Sequence, residues 1–316
     1  MSEKRKFVHE PTGVTHNGPV IDSANGYEII ECEQCGFKHV VPIPTPEELN
    51  VLYRDKFYLD EKPDYFKEVE EDLEWWKATY VNYYKIFEKL LKDGARSLLE
   101  IGSGPGYFLK CGQERGWRVL GFEPSTLACD YSKRLGVNAV NEPFDTGQVG
   151  KHGKFDVVYM NTVLEHLPDP LGTLKCATEA LMPEGLLCIV SPNDYNPLQD
   201  ILRRNLDFKP YWLAPPQHLN YFDFKSIEKA ITRFGFRIVE SLGTFPMEFF
   251  LLGGKNYIGD NKVGRSCHFL RKEFEQNLYK YSPEQLTDFF RFLASKEFGR
   301  EFVVIAKRGS VPKNPH

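Results

Sequence analysis

The stretch LLEIGSGPGYFL at residues 98–109 constrains this chain more than any other, because an apolar run enters Gly102, Gly104 and Gly106 and passes directly into a helical pattern. Glycines let the backbone turn sharply and approach a ligand with no Cβ in the way, and the helix that follows offers free N–H groups. The pattern predicts a strand, turn and helix that hold a nucleotide-like group; the alternative is a purely structural turn. A dinucleotide fold wants Gly-x-Gly-x-x-Gly or Ala, with a small last residue for close packing and a pyrophosphate at the helix N-terminus. Tyr107 stands at that last position. The spacing here is Glu100-x-Gly102-x-Gly104-x-Gly106, and a second acid, Glu123, ends the next strand-like run, RVLGFEP. A carboxylate there can accept hydrogen bonds from both ribose hydroxyls, so a single adenosine without a pyrophosphate fits better. The competing reading makes Glu123 a solvated turn acid.

The sequence around this turn alternates strand-like and helical segments from Arg96 onward: SLLEIGSG, FLKCGQERG, RVLGFEP, LACDYSKRLG, VNAV, FDVVYMN, a helix to Ala180, then GLLCIVSP. Such alternation predicts βαβ units and an α/β fold with a parallel sheet covered on both faces. Four regions follow. Residues 1–46 read as a small N-terminal β ribbon around a Cys-x-x-Cys-Gly turn, and residues 47–94 as a helical linker and cap, one long amphipathic helix or two, begun by Thr45 as N-cap. Residues 95–245 with 300–310 form the ligand-binding domain, and residues 246–299 a helical lid or substrate insertion before the last strand, EFVVIAKRG. If the strand ending near residue 245 is parallel to the others, that insertion starts at the edge where open α/β sheets bind ligands.

Composition narrows the class of function. With 316 residues, 41% apolar and 27% charged, the chain reads as globular, and forty basic against forty-four acidic residues leave a net charge of −4. That balance gives no broad positive field for a nucleic-acid backbone or an anionic membrane, so neither is expected as a partner. The seven cysteines are mostly scattered singly, which argues against a disulfide framework. The start, MSEKRKFVHEP, has no apolar stretch behind its basic residues, and the longest apolar run, FPMEFFLLGG, is interrupted by Glu248; the protein is expected to be cytoplasmic.

The acid-x-Gly-x-Gly-x-Gly loop with an acid ending the next strand resembles the first motif of class I S-adenosylmethionine-dependent methyltransferases. FDVVYMNTVLEHLPDP at 155–170 looks like that family's fourth strand and following loop, and GLLCIVSPND at 185–194 like its fifth strand. The resemblance implies a seven-stranded Rossmann-like sheet and S-adenosylmethionine as cofactor. By that likeness Gly102, Ser103, Gly104 and Gly106 lie under the methionine and ribose, Glu123 holds the ribose diol, and Asn161 lies near the amino-acid end. Glu100 orients the loop or the sulfonium side, and Phe144 is a candidate for the adenine slot. The alternative for Asn161 is a helix N-cap.

Methyl transfer needs a base only where the acceptor must lose a proton, and histidine is best matched to take it. QHLNYF at 217–222 is similar to the Glu/Gln-His-x-x-Tyr-Phe stretch of methyltransferases acting on nucleotide-linked deoxysugars. That likeness implies a sugar or nucleotide-sugar acceptor, methylated at oxygen, carbon or nitrogen, with His218 as candidate base and Tyr221 and Asn220 as acceptor contacts. Another small-metabolite methyltransferase or a nicotinamide-dependent oxidoreductase is the alternative function, and a helix-start role the alternative for His218. LEHLPDP resembles quinone O-methyltransferases, which place Glu-His after the same strand; His166 is a further candidate, and Asn161 replaces a metal-binding carboxylate, so no catalytic metal is expected. The sugar methyltransferases also begin with a four-cysteine zinc ribbon. This chain keeps Cys32-x-x-Cys35 and offers His9 and His16 in place of the first pair, so the resemblance implies a structural zinc on His9, His16, Cys32 and Cys35, with His39 in reserve; the alternative is a metal-free ribbon.

Overall fold

The computed structural model describes residues 3–45, 48–49 and 65–309. Two sheets organise them. The N-terminal sheet has the order β1 (Lys4–His9), β2 (Val14–Ala24), β3 (Tyr27–Glu31), β4 (Lys38–Val41) and β10 (Asn220–Tyr221), every neighbouring pair antiparallel. The ribbon expected from the sequence is therefore larger, and its last strand comes from the QHLNYF segment some 180 residues away in sequence, Asn220 pairing with His39. Leading out of this sheet, Thr45 and Glu48 form the expected cap, Glu48 N donating to Thr45 Oγ1 at 3.3 Å and Thr45 N to the Glu48 carboxylate at 2.8 Å. Residues 50–64 of the expected helical linker, and residue 310, lie outside the described residues.

Of the two alternatives for the next segment, the structure has two helices, α1 (Tyr65–Glu71) and α2 (Leu73–Leu90). The break falls at Asp72, whose carboxylate is drawn aside by Lys272 and by His268 Nε2 at 2.7 Å.

The main sheet runs β11 (Phe236–Gly243), β12 (Glu301–Arg308), β9 (Leu181–Pro192), β8 (Phe155–Asn161), β5 (Ser97–Ile101), β6 (Arg118–Phe122), β7 (Ala139–Val140). β5 to β9 are mutually parallel; β12 is antiparallel to both β9 and β11, so β11 points the same way as the parallel strands. Its end accordingly shares an edge with the glycine turn. All five residues of β5 are buried, as a strand covered on both faces demands. One face carries Tyr80 to Phe87 of α2, Phe108 and Leu109 of α3 (Tyr107–Glu114), and Leu286 to Leu293 of α10 (Pro283–Ser295). The other carries α5 (Pro170–Ala180), α7 (Phe224–Thr232) and, through Ile30, Cys32 and Phe37, the N-terminal sheet. Helix starts are capped where short polar side chains predict it: Ser125 for α4 (Thr126–Arg134), Asn196 for α6 (Pro197–Leu206), Asp223 for α7. Between β11 and β12 lie α8 (Glu248–Leu252), α9 (Asn261–Tyr281) and α10, the expected helical insertion. No helix among the described residues is long and apolar enough to cross a membrane.

Candidate active site

The site forms at the carboxyl ends of β5, β6, β8 and β9. Gly102 has φ +71° and a Cβ there would meet Val163 Cγ2 at 2.6 Å; Gly106, φ +82°, is the left-handed entry to α3 and a Cβ would meet Ser132 Oγ at 2.6 Å. The turn thus requires glycine on both conformational and steric grounds. Glu123 follows β6 directly, and its carboxylate accepts from Gly104 N at 2.8 Å and Ser125 N at 2.9 Å. Burial raises its pKa, those two bonds pulling the other way. Glu100 is more enclosed: burial, then the nearby Glu123, push it well above the usual carboxylate range, and its Oε2, like Ser103 Oγ, is buried with no hydrogen-bond partner among the described residues.

Orphaned buried oxygens beside a turn that excludes Cβ atoms are what a small polar ligand fits. The residues named from the sequence, Glu100, Gly102, Ser103, Gly104, Gly106 and Glu123, are brought together here. Asn161 ends β8 on the same edge, half-buried, and lines a small cavity beside α2. Phe144 lies beyond β6, buried, its ring edge-on to Phe122 at 5.0 Å. Sequence reasoning missed Tyr65, whose hydroxyl stands 4.0 Å from the Cβ position of Gly104 and whose pKa is pushed up to about 12 by burial, then by Glu123 and Glu100.

Across β8 and β9 is a cluster of ionisable groups. His166 Nδ1 donates to Gln217 O at 2.6 Å, and its ring meets that of His218 edge-on at 4.9 Å. Glu165, enclosed beneath them, accepts from Ser191 Oγ at 3.0 Å, and burial pushes its carboxyl up to about 8. Glu165, His166 and His218 present side-chain donor atoms within 4.8 Å of one another. Two residues expected to touch the acceptor make hydrogen bonds that hold the loop. Tyr221, 1% exposed, donates its hydroxyl to His218 O at 3.1 Å, and Asn220 Nδ2 donates to Leu164 O at 2.9 Å and Leu167 O at 2.7 Å. Asp194, two residues after β9, was also missed; burial, then Glu165 and Glu248, raise its pKa well above the carboxylate range, and its Oδ2 has no partner among the described residues. The pattern Asn-Asp after an apolar strand was its only signal.

In the N-terminal sheet, His16, Cys32, Cys35 and His39 turn one ligand atom each into a buried cluster, all within 4.8 Å. His16 Nδ1 lies 3.2 Å from Cys35 Sγ, 3.8 Å from Cys32 Sγ and 3.1 Å from His39 Nε2. One of these equals, and two fall just short of, the edges of about 3.3 to 3.8 Å in a tetrahedron with zinc–ligand bonds of ~2.0 to 2.3 Å. His39 Nδ1 donates to Val40 O at 2.8 Å, which leaves Nε2 as the ligand atom. His9 is not in the cluster: β1 is the far edge strand, and β4, returning beside β3, sets His39 over the cysteine turn in its place. His9 Nδ1 instead pairs with Thr12 Oγ1 at 3.0 Å.

A sheet of this strand order, with a glycine turn and a carboxylate at the carboxyl ends of adjacent parallel strands, is an open α/β fold whose ligand edge lies there. Residues 75–241, more than half of the chain, match the family described as methyltransferase domain, and the chain belongs to that family. Its relatives include the ubiquinone biosynthesis O-methyltransferase of Actinobacillus pleuropneumoniae serotype 7, 29% identical over 102 residues, 29% of this chain and 44% of that protein. Another is the tRNA U34 carboxymethyltransferase of Aliarcobacter butzleri, 28% identical over 132 residues, 39% and 41% of the two chains. The chain therefore spans less than half the length of these curated relatives. Among solved structures, a SAM dependent methyltransferase from Archaeoglobus fulgidus has a TM-score of 0.50 at 19% identity, covering 77% of this chain and 99% of that one. The plantazolicin methyltransferase BpumL, in complex with a monoazolic desmethylPZN analog and SAH, has a TM-score of 0.51 at 14% identity, covering 84% and 97%. Both likenesses concern the fold.

Proposed function

We propose that this protein transfers a methyl group from S-adenosylmethionine to a small polar acceptor, a sugar or nucleotide-sugar. The observation that carries the reading is the Glu123 carboxylate at the tip of β6, hydrogen-bonded to the glycine turn at 2.8 Å, which supports a grip on one ribose rather than on a dinucleotide. Glu100, Gly102, Ser103, Gly104, Gly106, Glu123 and Asn161 would hold the cofactor, with Phe144 toward its base. When bound, S-adenosylmethionine supplies a methyl on a sulfonium, an excellent leaving group, so the chain's own work is alignment and water exclusion. Where the acceptor carries a proton to be lost, His218 takes it. His166 holds the segment bearing His218 through its bond to Gln217 O, and Tyr221 fixes that segment through His218 O.

Titration calorimetry tests this. S-adenosylhomocysteine should bind the wild-type protein, and Glu123→Ala should weaken it about tenfold to hundredfold, as loss of charged hydrogen bonds predicts. Binding of a nicotinamide dinucleotide with no heat from S-adenosylhomocysteine overturns the proposal. His218→Ala should abolish transfer to hydroxyl acceptors while leaving cofactor affinity intact. The net charge of −4 supports a small acceptor over tRNA, whose binding would weaken steeply with salt.

We also propose a structural zinc ion on His16, Cys32, Cys35 and His39, a donor set suited to a closed tetrahedral site.

A further inference from the structure

α9 buries an unusual face. Its buried residues are Cys267, Arg271 and Glu275, one stripe at four-residue spacing, while Phe269 and Leu270 remain exposed. Arg271 Nε donates to Glu275 Oε1 at 3.0 Å, Trp75 Nε1 donates to Glu275 Oε2 at 2.6 Å, and the guanidinium lies over the Trp75 ring at 4.8 Å. Both partners are at most 6% exposed. A buried ion pair of this kind is commonly no more stabilising than apolar residues of the same volume, so packing alone does not account for it. Glu275 occupies only the Nε edge of Arg271; no hydrogen bond to either Nη is made among the described residues.

Arg271 lines the small cavity whose wall also includes Asn161, Thr244 and Glu301. Glu301 opens β12 beside the end of β9, its carboxylate reached by Thr244 Oγ1 at 3.4 Å. Arg271, Glu275 and Glu301 all line this cavity together with the buried Tyr83, which sets the three charges around one space. Asn161, on the same wall, follows Met160, which pairs with Ile101 just before Gly102, so the cavity adjoins the glycine turn.

We infer that Arg271 and Glu301 form a receptor for an α-amino-acid group, the guanidinium fork taking its carboxylate and Glu301 its ammonium. The inference rests on the methyltransferase reading and deepens it. The amino-acid group has two possible sources, the methionine end of the cofactor or the acceptor. Affinities for S-adenosylhomocysteine and for methylthioadenosine, which lacks the amino-acid end, distinguish them in wild type, Arg271→Lys, Arg271→Met and Glu301→Gln. If the group is the cofactor's, Arg271→Met lowers S-adenosylhomocysteine affinity about tenfold or more and leaves methylthioadenosine within about twofold, as loss of a bidentate charged contact requires; the methylthioadenosine value reports that the variant is folded. If it is the acceptor's, both affinities hold, and thermal stabilisation of the S-adenosylhomocysteine-loaded protein by norleucine is lost in Arg271→Met. An unchanged ratio of the two affinities with no norleucine effect in wild type overturns the inference alone. A wild type that binds neither adenosine compound removes the methyltransferase reading as well.

Discussion

Glu165 sits 1% exposed beneath the His166–His218 pair, with Ser191 Oγ 3.0 Å from one oxygen. Burial lifts its pKa from about 4.5 to about 8, against the opposing pull of its own backbone N–H and Ser191. Between those values the folded chain holds a proton that the unfolded chain has lost. Its contribution to stability is therefore complete below about pH 4.5 and is lost as pH rises through about 8. Glu165→Gln, which keeps an acceptor for Ser191 and cannot ionise, should flatten that dependence. Denaturant titrations from pH 5 to 8 should show wild type losing a few kcal/mol relative to the variant, and parallel curves would exclude a neutral carboxyl there. At this scale the glycine turn was the most legible feature, because Gly102 and Gly106 answer to local backbone geometry that only glycine meets cheaply. Tyr65 and Arg271 were not legible, since nothing in the neighbouring sequence reports that the first ends beside the glycine turn and the second on the cavity wall with Asn161.

The elements of the main sheet could be read from alternating apolar runs, since strands covered on both faces leave a continuous hydrophobic signature, as SLLEI does. The N-terminal sheet was legible only in part. β2, VTHNGPVIDSA, has no clean two-residue alternation, and β10 is two residues long and pairs with β4 across the whole chain. The choice between His9 and His39 depends on that non-local pairing, which spacing in sequence does not encode. The short helical turn Leu164–His166 shows the same dependence: Asn220, from β10, ties down its carbonyls through two buried bonds. Asn220→Ala should leave Leu167 O without this donor and Leu164 O with only the 3.4 Å bond from Leu167 N, at a cost of about 1 to 3 kcal/mol, read as a lower denaturation midpoint. Cofactor affinity should be unchanged, because the glycine turn lies on other strands.

The whole molecule is two sheets sharing a core, Ile30 of the first lying in one cluster with Leu99 and Val158 of the second, and β10 belongs by sequence to one and by pairing to the other. The segment carrying His218 is thus anchored in the sheet proposed to hold zinc. Metal analysis should find one equivalent of zinc per chain, absent in Cys32→Ser, and a strong chelator should lower the melting temperature and methyl transfer together. Full activity in metal-free protein would refute the structural role. At the opposite edge, the helical insertion leaves and re-enters the sheet through a closed neck: Thr244 N donates to Glu301 O at 3.0 Å and Arg300 N to Thr244 O at 3.2 Å. The helices above that neck still answer to the strands beneath, because Leu286, Phe290 and Leu293 of α10 belong to the core on that face. Sequence change that spares the sheet is therefore confined to the outward side of residues 245–299, where Phe269, Leu270 and Phe292 stand exposed, while the inward stripe has to be kept.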